Sequence, residues 1–426
     1  MELSLSGTKM AGVSGLRSIM DDVAASTADA SAGEWLNLSV GNPATIPDAA
    51  EMWRTALTDS LAEEFERAGC RYGPSRGSQV LVGAVVEYFN RTYGWQLGLE
   101  NVVVGPGSQM LCFAAAALFT GPGVRGDRKI VLPMVPDYTG YQGMCMHDGG
   151  IVGVEPLIER QGEHGFRYAL DLDGLGRQSD IGMMLLSSPA NPTGRALDRA
   201  DLDALTALAA ERDVPLLLDQ AYGSPFPRIA EVHTEPVLHD NLINCFSASK
   251  AGLPGERVGF AIGPPKYIDA LASFMSNSVL HAPQLPQAAL ARIMRDGRLD
   301  RVTREAITPH YREKRRLAAD LLAEAMPADM DWRMHSGVGG MFCWLWVDHP
   351  WFDDLELYRR LKERRVFVVP GRHFFVDPLA SPGLDGHSTR CFRISLSTEE
   401  KVFSEGIRQV ADVLREMRAS AAGAGT

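Results

Sequence analysis

The chain has 426 residues, 45% hydrophobic and 22% charged, enough for one large and one smaller domain with a core that needs no disulfide staples. Its formal net charge of −11 argues against nucleic acid or an anionic membrane as the main partner, because both call for a basic face. Six cysteines (Cys70, Cys112, Cys145, Cys245, Cys343 and Cys391) show no C-x-x-C spacing, so reduced thiols are expected, with neither a disulfide frame nor a metal site. The first dozen residues, MELSLSGTKMAG, lack a basic segment followed by an apolar one, so no signal peptide is expected. The most apolar stretch, Leu111 to Phe119, falls well short of the roughly 20 helical residues that span a bilayer. A cytoplasmic, soluble protein is the expectation.

In chain order, residues 1–45 are rich in small and polar types and read as an arm packing on a C-terminal domain. Residues 46–290 carry apolar runs at Val102–Val104, Ile130–Leu132, Met183–Leu186, Leu216–Leu218, Leu242–Phe246 and Val258–Ile262. These runs are continuous rather than alternating, as strands buried on both faces are, and helical patterns separate them. Parallel α/β architecture follows. One such helix starts after a capping Asp198, with Leu202, Leu205 and Leu208 on one stripe, and Pro215 stops it from running on. Residues 291–417 read as a smaller α+β domain. It opens with a charged helix whose stripe is Leu317, Leu321 and Ala325, continues with strands at Met341–Val347, Val366–Val369 and Cys391–Leu396, and closes with a helix near Ser404–Met417. Trp344 and Trp346 alternate as in a half-buried strand packed beside a pocket. Residues 418–426 (RASAAGAGT) are expected to be disordered.

Four clusters sit where these runs end, and ligands of open α/β sheets bind at the carboxyl ends of strands. Ser247-Ala248-Ser249-Lys250, with Gly255, Arg257 and Gly259 behind it, puts one amine among hydroxyls and a guanidinium. That set suits a phosphorylated aldehyde: the amine condenses with the carbonyl while Ser247, Ser249 and Arg257 take phosphate oxygens. Asp219 ends the run Leu216–Leu218, with Tyr222 three residues on. A carboxylate at that depth needs a cationic partner, and a protonated pyridine nitrogen is one. Ser188-Pro189-Ala190-Asn191-Pro192-Thr193-Gly194 forms a rigid loop that presents the Asn191 amide to a ring hydroxyl. Gly107-Ser108-Gln109 opens an apolar helix, whose N-terminus favours a phosphate.

Taken together, Ser247-x-Ser249-Lys250-x4-Gly255-x-Arg257-x-Gly259, Asn191-Pro192-Thr193-Gly194 and Asp219-x-x-Tyr222 resemble the class I/II aminotransferases of fold type I, whose cofactor is pyridoxal 5′-phosphate. Ser14-Gly15, Gly41-Asn42-Pro43-Ala44, Ala221-Tyr222-Gly223-Ser224-Pro225-Phe226-Pro227 and Gly252-Leu253-Pro254-Gly255 resemble bacterial valine–pyruvate aminotransferases within that family. The resemblance implies a large domain with a mostly parallel seven-stranded sheet and a smaller α+β domain. It implies that Lys250 is the Schiff-base lysine and proton shuttle, that Asp219 pairs with the pyridinium, and that Asn191 and Tyr222 bind the phenolic oxygen. Ser108, Gln109, Ser247, Ser249 and Arg257 would hold the phosphate, and Tyr138, in Pro136-Asp137-Tyr138-Thr139-Gly140-Tyr141, would stack on the ring. Tyr72 would reach the phosphate of a neighbouring subunit in an obligate homodimer. Arg393 would clamp the substrate carboxylate, with Gly41 and Asn42 lining the same end of the pocket.

Departures from the family pattern bear on the reaction more than on the cofactor. Gln220, Ala248, Glu256 and Gly105-Pro106 are substitutions within or beside the motifs. Transamination between an amino acid and a 2-oxo acid, with pyruvate and alanine as one pair, is the expected activity. The alternative is a lyase or a carbon–carbon bond-forming synthase that uses the same cofactor residues, for example on S-adenosylmethionine. A DNA-binding regulator built on this fold is disfavoured by the acidic charge.

Overall fold

The computed structural model describes residues 2–12, 15–28, 34–124, 126–229, 234–376 and 386–424. Ser14 of the Ser14-Gly15 string and the last two residues of the expected tail lie outside them.

The central sheet runs in the order Val102–Gly105, Gly259–Ile262, Leu242–Ser247, Leu216–Asp219, Ile181–Ser187, Gly126–Leu132, Ile151–Gly153. The short strand Gly121–Gly123 folds back on the last but one as a hairpin and brings the count to eight. Every predicted run lies in this sheet. Gly259–Ile262 is antiparallel to both its neighbours, and the other strands of the main seven share one direction. The continuous apolar runs follow from burial on both faces. Val102 and Val104 pack into one core and Val103 into the other, and Phe246 and Cys245 divide the same way. Helices Pro47–Glu64, Gln79–Tyr93 and Gln284–Arg295 cover the first face, and Ser108–Phe119, Arg199–Arg212 and Pro265–Ser278 the second. Asp198 caps its helix as expected, accepting from the Asp201 amide in a reciprocal capping box.

A second sheet has the order Val369–Pro370, Cys391–Ser395, Phe342–Val347, Trp332–His335, Gly165–Ala169, Leu157–Gln161. Its last two strands come from inside residues 46–290, so a hairpin of the first segment completes the sheet of the second. The arm joins here too. Leu36–Asn37 pairs with Val366–Phe367, Trp35 stacks on Phe367 at 4.6 Å, and Ile19 packs on Tyr358 and Phe367.

Three expectations need correction. The charged helix, Thr308–Ala325, buries Tyr311, Ala318 and Leu322, one residue round from the expected stripe, so Leu317, Leu321 and Ala325 only flank the core. Trp344 and Trp346 lie on a strand buried on both faces, because they pack into one core while Cys343, Leu345 and Val347 pack into the other; Trp344 Nε1 donates to the Tyr168 hydroxyl at 2.9 Å. Lastly, the helix Glu400–Ala424 continues through residues 418–424, where disorder was expected. Arg418 pairs with Asp329 there, and alanines favour helix once it has nucleated. Among the described residues no helix is long and apolar enough to cross a membrane.

Candidate active site

Parallel register brings the clusters together. Cys245 is paired with Asp219, and Asp219 with Ser187, so the ends of three strands lie side by side, with Asp219 as the last residue of its strand and Lys250 and Asn191 just beyond theirs. The second sheet delivers Arg393 from Cys391–Ser395, facing these ends. Between the sheets lies a cavity of about 640 Å³. Its wall includes Gly41, Asn42, Ser108, Gln109, Tyr138, Asn191, Asp219, Tyr222, Ser247, Ser249, Lys250, Arg257 and Arg393. All the proposed site residues therefore meet in one place, with one exception. Tyr72 is 86% exposed and faces His281 on the outside of the chain.

Lys250 sits on a single turn, Ser249–Ala251, at the end of its strand. Trp53 holds that turn by donating from Nε1 to the Ala251 carbonyl at 2.8 Å in a buried bond. Lys250 Nζ donates to the Gly41 carbonyl at 2.8 Å. Burial, then the nearby Arg393 and Arg257, lower the lysine to about 8, against a weaker opposing pull from Asp219.

Asp219 is buried and raised to about 6 by desolvation, opposed by Tyr141, the Ala221 amide and Cys112, and least by the nearby Ser108. Tyr141 Oη lies 3.1 Å from Oδ2, the Ala221 amide 3.1 Å from Oδ1, and Cys112 Sγ 3.8 Å from Oδ2. Each of these donors is neutral. Such a carboxylate is suited to a cationic ring.

Beside it, Arg257 Nη1 donates to Ser249 Oγ at 3.1 Å, and the Ser247 hydroxyl reaches Ser249 Oγ at 3.0 Å. Gly107 caps the helix Ser108–Phe119 at φ 80° with no side-chain cap, leaving the first amides of the helix without an intrahelical partner. A Cβ at Gly107 would lie 2.5 Å from Arg257 Nη2, so glycine lets the helix start and the guanidinium share one anion cradle.

Arg393 is 3% exposed, and its guanidinium lies 3.9 Å from the Phe342 ring centroid. Nη1 donates to Asn191 Oδ1 at 2.9 Å and Nη2 to the Ser39 carbonyl at 3.0 Å, while Nε has no partner. Arginine can only donate, so this bond fixes the Asn191 amide with its NH₂ group directed away from Arg393. An amine, a carboxylate without a cation, an anion cradle and a buried guanidinium with spare donors together fit a phosphorylated pyridine aldehyde and an amino acid.

The sequence profile of aminotransferase class I and II matches residues 33–409. The chain belongs to the class I and II aminotransferases. It is 31% identical over 417 residues to the valine–pyruvate aminotransferase of Escherichia coli K12, covering 97% of this chain and 98% of that one. Among solved structures, a putative amino-acid aminotransferase from Psychrobacter arcticum 273-4 superposes with a TM-score of 0.90 at 30% identity, covering 98% and 99% of the two chains. The valine-pyruvate aminotransferase of Salmonella typhimurium LT2 gives 0.85 at 30% identity, covering 95% of this chain and all of that one. The protein is accordingly a pyridoxal-phosphate-dependent aminotransferase of fold type I, acting on small amino and 2-oxo acids. These relatives do not favour the lyase or synthase alternative.

Residues that the motifs did not assign also line or brace the cavity of this aminotransferase. Tyr141 touches Asp219 directly. Asp137 accepts from the amides of Ser187 at 3.0 Å and Tyr138 at 2.6 Å and from the Ser187 hydroxyl, clamping the Tyr138 segment to the strand that carries the Asn191 loop. Both residues stand in the Pro136–Tyr141 string, and the polar Asp137 before two tyrosines was the available signal. Ile19, Val23, Val40, Phe342 and Val369 add an apolar wall that no motif announced.

Proposed function

We propose that this aminotransferase moves an amino group from an aliphatic amino acid to pyruvate, forming alanine, in a cytoplasmic homodimer. The observation that carries the substrate class is the cavity wall. Its arginines are Arg257, which sits with the serines, and Arg393, and the same wall carries the apolar Ile19, Met20, Val23, Ala24 and Val369. A second substrate carboxylate would meet no arginine there among the described residues, whereas a branched aliphatic side chain would lose water against Ile19, Val23 and Val369. Full burial of such a side chain stabilises by about 1.5–3 kcal/mol. Pyruvate as acceptor is supported by the relatives named above. The six cysteines stand as free thiols, in keeping with a reducing compartment.

In this reading the cradle of Ser108, Gln109, Ser247, Ser249 and Arg257 holds the cofactor phosphate. Asp219 would pair with the ring nitrogen, Asn191 and Tyr222 would bind the phenolic oxygen, and Tyr138 would pack on the ring, all four lining the same cavity. Bound pyridoxal phosphate supplies an electron-withdrawing ring that accepts the electron pair left on the substrate Cα. Lys250 would hold the cofactor through its amine and, once free, would be the group in the cavity that moves the substrate Cα proton. Burial and the two arginines favour the neutral amine that this step needs. Arg393 fixes the substrate carboxylate by its unused N–H groups. Because it also holds Asn191, carboxylate binding and the grip on the ring oxygen are linked through one hydrogen bond. Tyr72, exposed on this chain, would reach the phosphate in the partner's site.

The test is a panel of amino donors with pyruvate, followed by alanine formation. Valine-like donors should exceed aspartate and glutamate in kcat/KM by at least about tenfold, the worth of one buried branched side chain. Preference for a dicarboxylate, or no alanine from any donor, refutes this reading.

A further inference from the structure

Asp219 is the most consequential carboxylate in the site, and what keeps it ionised is not obvious from its setting. It is buried beneath the cavity, and burial alone favours the neutral acid. The cations of the cavity, Lys250, Arg393 and Arg257, make no hydrogen bond or ion pair with it among the described residues. The groups that face it are Ser108 and Cys112 from the helix Ser108–Phe119, Tyr141 from the turn Thr139–Met144, the Ala221 amide from its own loop, and the acid Asp137 from beside Tyr138. A second thiol, Cys245, touches Cys112 from the neighbouring strand. Of these, only the Tyr141 hydroxyl combines a strong O–H donor with a 3.1 Å separation from a carboxylate oxygen. Cys112 stands at 3.8 Å, and a thiol is a weak donor.

We propose that Tyr141 is a positioning residue for the cofactor: its hydroxyl, bound to Asp219 Oδ2, holds that side chain as a carboxylate and so keeps the proton on the ring nitrogen. An ionised carboxylate has about four acceptor sites. Tyr141, Cys112 and the Ala221 amide fill three, which leaves room for one more donor, the N–H⁺ of a pyridinium. Without the phenol the carboxylate becomes the stronger base of the pair, and the proton moves from ring nitrogen to Asp219. Tyr141 is placed for this by packing. It is 1% exposed and meets Tyr138 edge-on at 5.3 Å, so its ring has one orientation and its hydroxyl one neighbour of consequence.

The inference rests on Asp219 facing the ring nitrogen. The experiment loads the enzyme with pyridoxal phosphate carrying ¹⁵N in the ring and reads the nitrogen resonance, which reports protonation independently of turnover. Tyr141→Phe keeps the ring packing and removes only the donor. It should move the resonance from the protonated toward the neutral position, a change of about ten- to a hundredfold in the equilibrium between the two proton sites. Fluorinated tyrosine at position 141 has the same shape and a more acidic phenol, and should move the resonance the opposite way; this variant decides the matter if Tyr141→Phe does not fold. Cys112→Ala should act in the direction of Tyr141→Phe and more weakly. A wild-type resonance in Tyr141→Phe, a fluorotyrosine shift that is absent or of the same sign, or a larger effect from Cys112 overturns the proposal. Asp219→Asn separates the two levels. If it leaves the nitrogen protonated, the placement of Asp219 fails; if it neutralises the nitrogen while the Tyr141 variants change nothing, only the role of Tyr141 fails.

Discussion

Replacing Arg393 by lysine tests how the chain recognises its substrate. The guanidinium uses Nη1 on Asn191 and Nη2 on Ser39, and its carbon stands 3.9 Å from the Phe342 ring centroid with Nε unpartnered. A lysine ammonium keeps the charge but offers a point where the substrate carboxylate meets a fork. At least one charge-assisted bond is lost, worth about 1.5–3 kcal/mol. The expected fall in kcat/KM for an amino acid is therefore roughly 10- to 150-fold. The assay compares each amino acid with the corresponding amine lacking the carboxylate. In Arg393→Lys the amino acid should lose this factor while the amine loses little, so the discrimination between them collapses. An equal loss for both substrates refutes the argument, because it would mean that Arg393 acts through the fold and not on the carboxylate.

Further outcomes follow from the same geometry. Single-turnover rates should rise with pH through about 8, since the lowered Lys250 must be neutral to accept the Cα proton. Burial is the main cause of that lowering and the Arg393 charge the next, so Arg393→Gln should move the inflection upward; a downward or absent movement contradicts the assigned cause. Gly107→Ala places a Cβ against Arg257 at φ 80° and ψ 168°, a region essentially reserved for glycine, costing about 1–3 kcal/mol in backbone strain, and should weaken cofactor binding at least severalfold in equilibrium dialysis. Unchanged affinity would remove Gly107 from the cradle. Mixing Tyr72→Ala with Lys250→Ala should regenerate activity, because a hybrid dimer would contain one site with both residues intact. No gain on mixing would place Tyr72 outside the partner's site.

The sequence revealed most where burial writes directly into composition. Strands covered on both faces read as unbroken apolar runs, so six of the central strands were legible, and the chemistry at their ends came with them. Strand direction leaves no such mark, and Val258–Ile262 looks like its parallel neighbours although Gly259–Ile262 runs against them. The hairpin Leu157–Gln161 and Gly165–Ala169 was missed because its outer strand is largely exposed and its partner, Trp332–His335, is remote in sequence. On Thr308–Ala325 charges crowd the buried stripe, and a one-residue error in phase moved it from Leu322 to Leu321. The contact of Tyr141 with Asp219 spans 78 residues and exists only after the sheet has assembled.

The account as a whole depends on which amine carries the cofactor. Borohydride reduction of the holoenzyme followed by peptide mapping should find the pyridoxyl group on the peptide containing Lys250 and on no other lysine. A label elsewhere, or a reduced protein from which the cofactor still dialyses away, would contradict it.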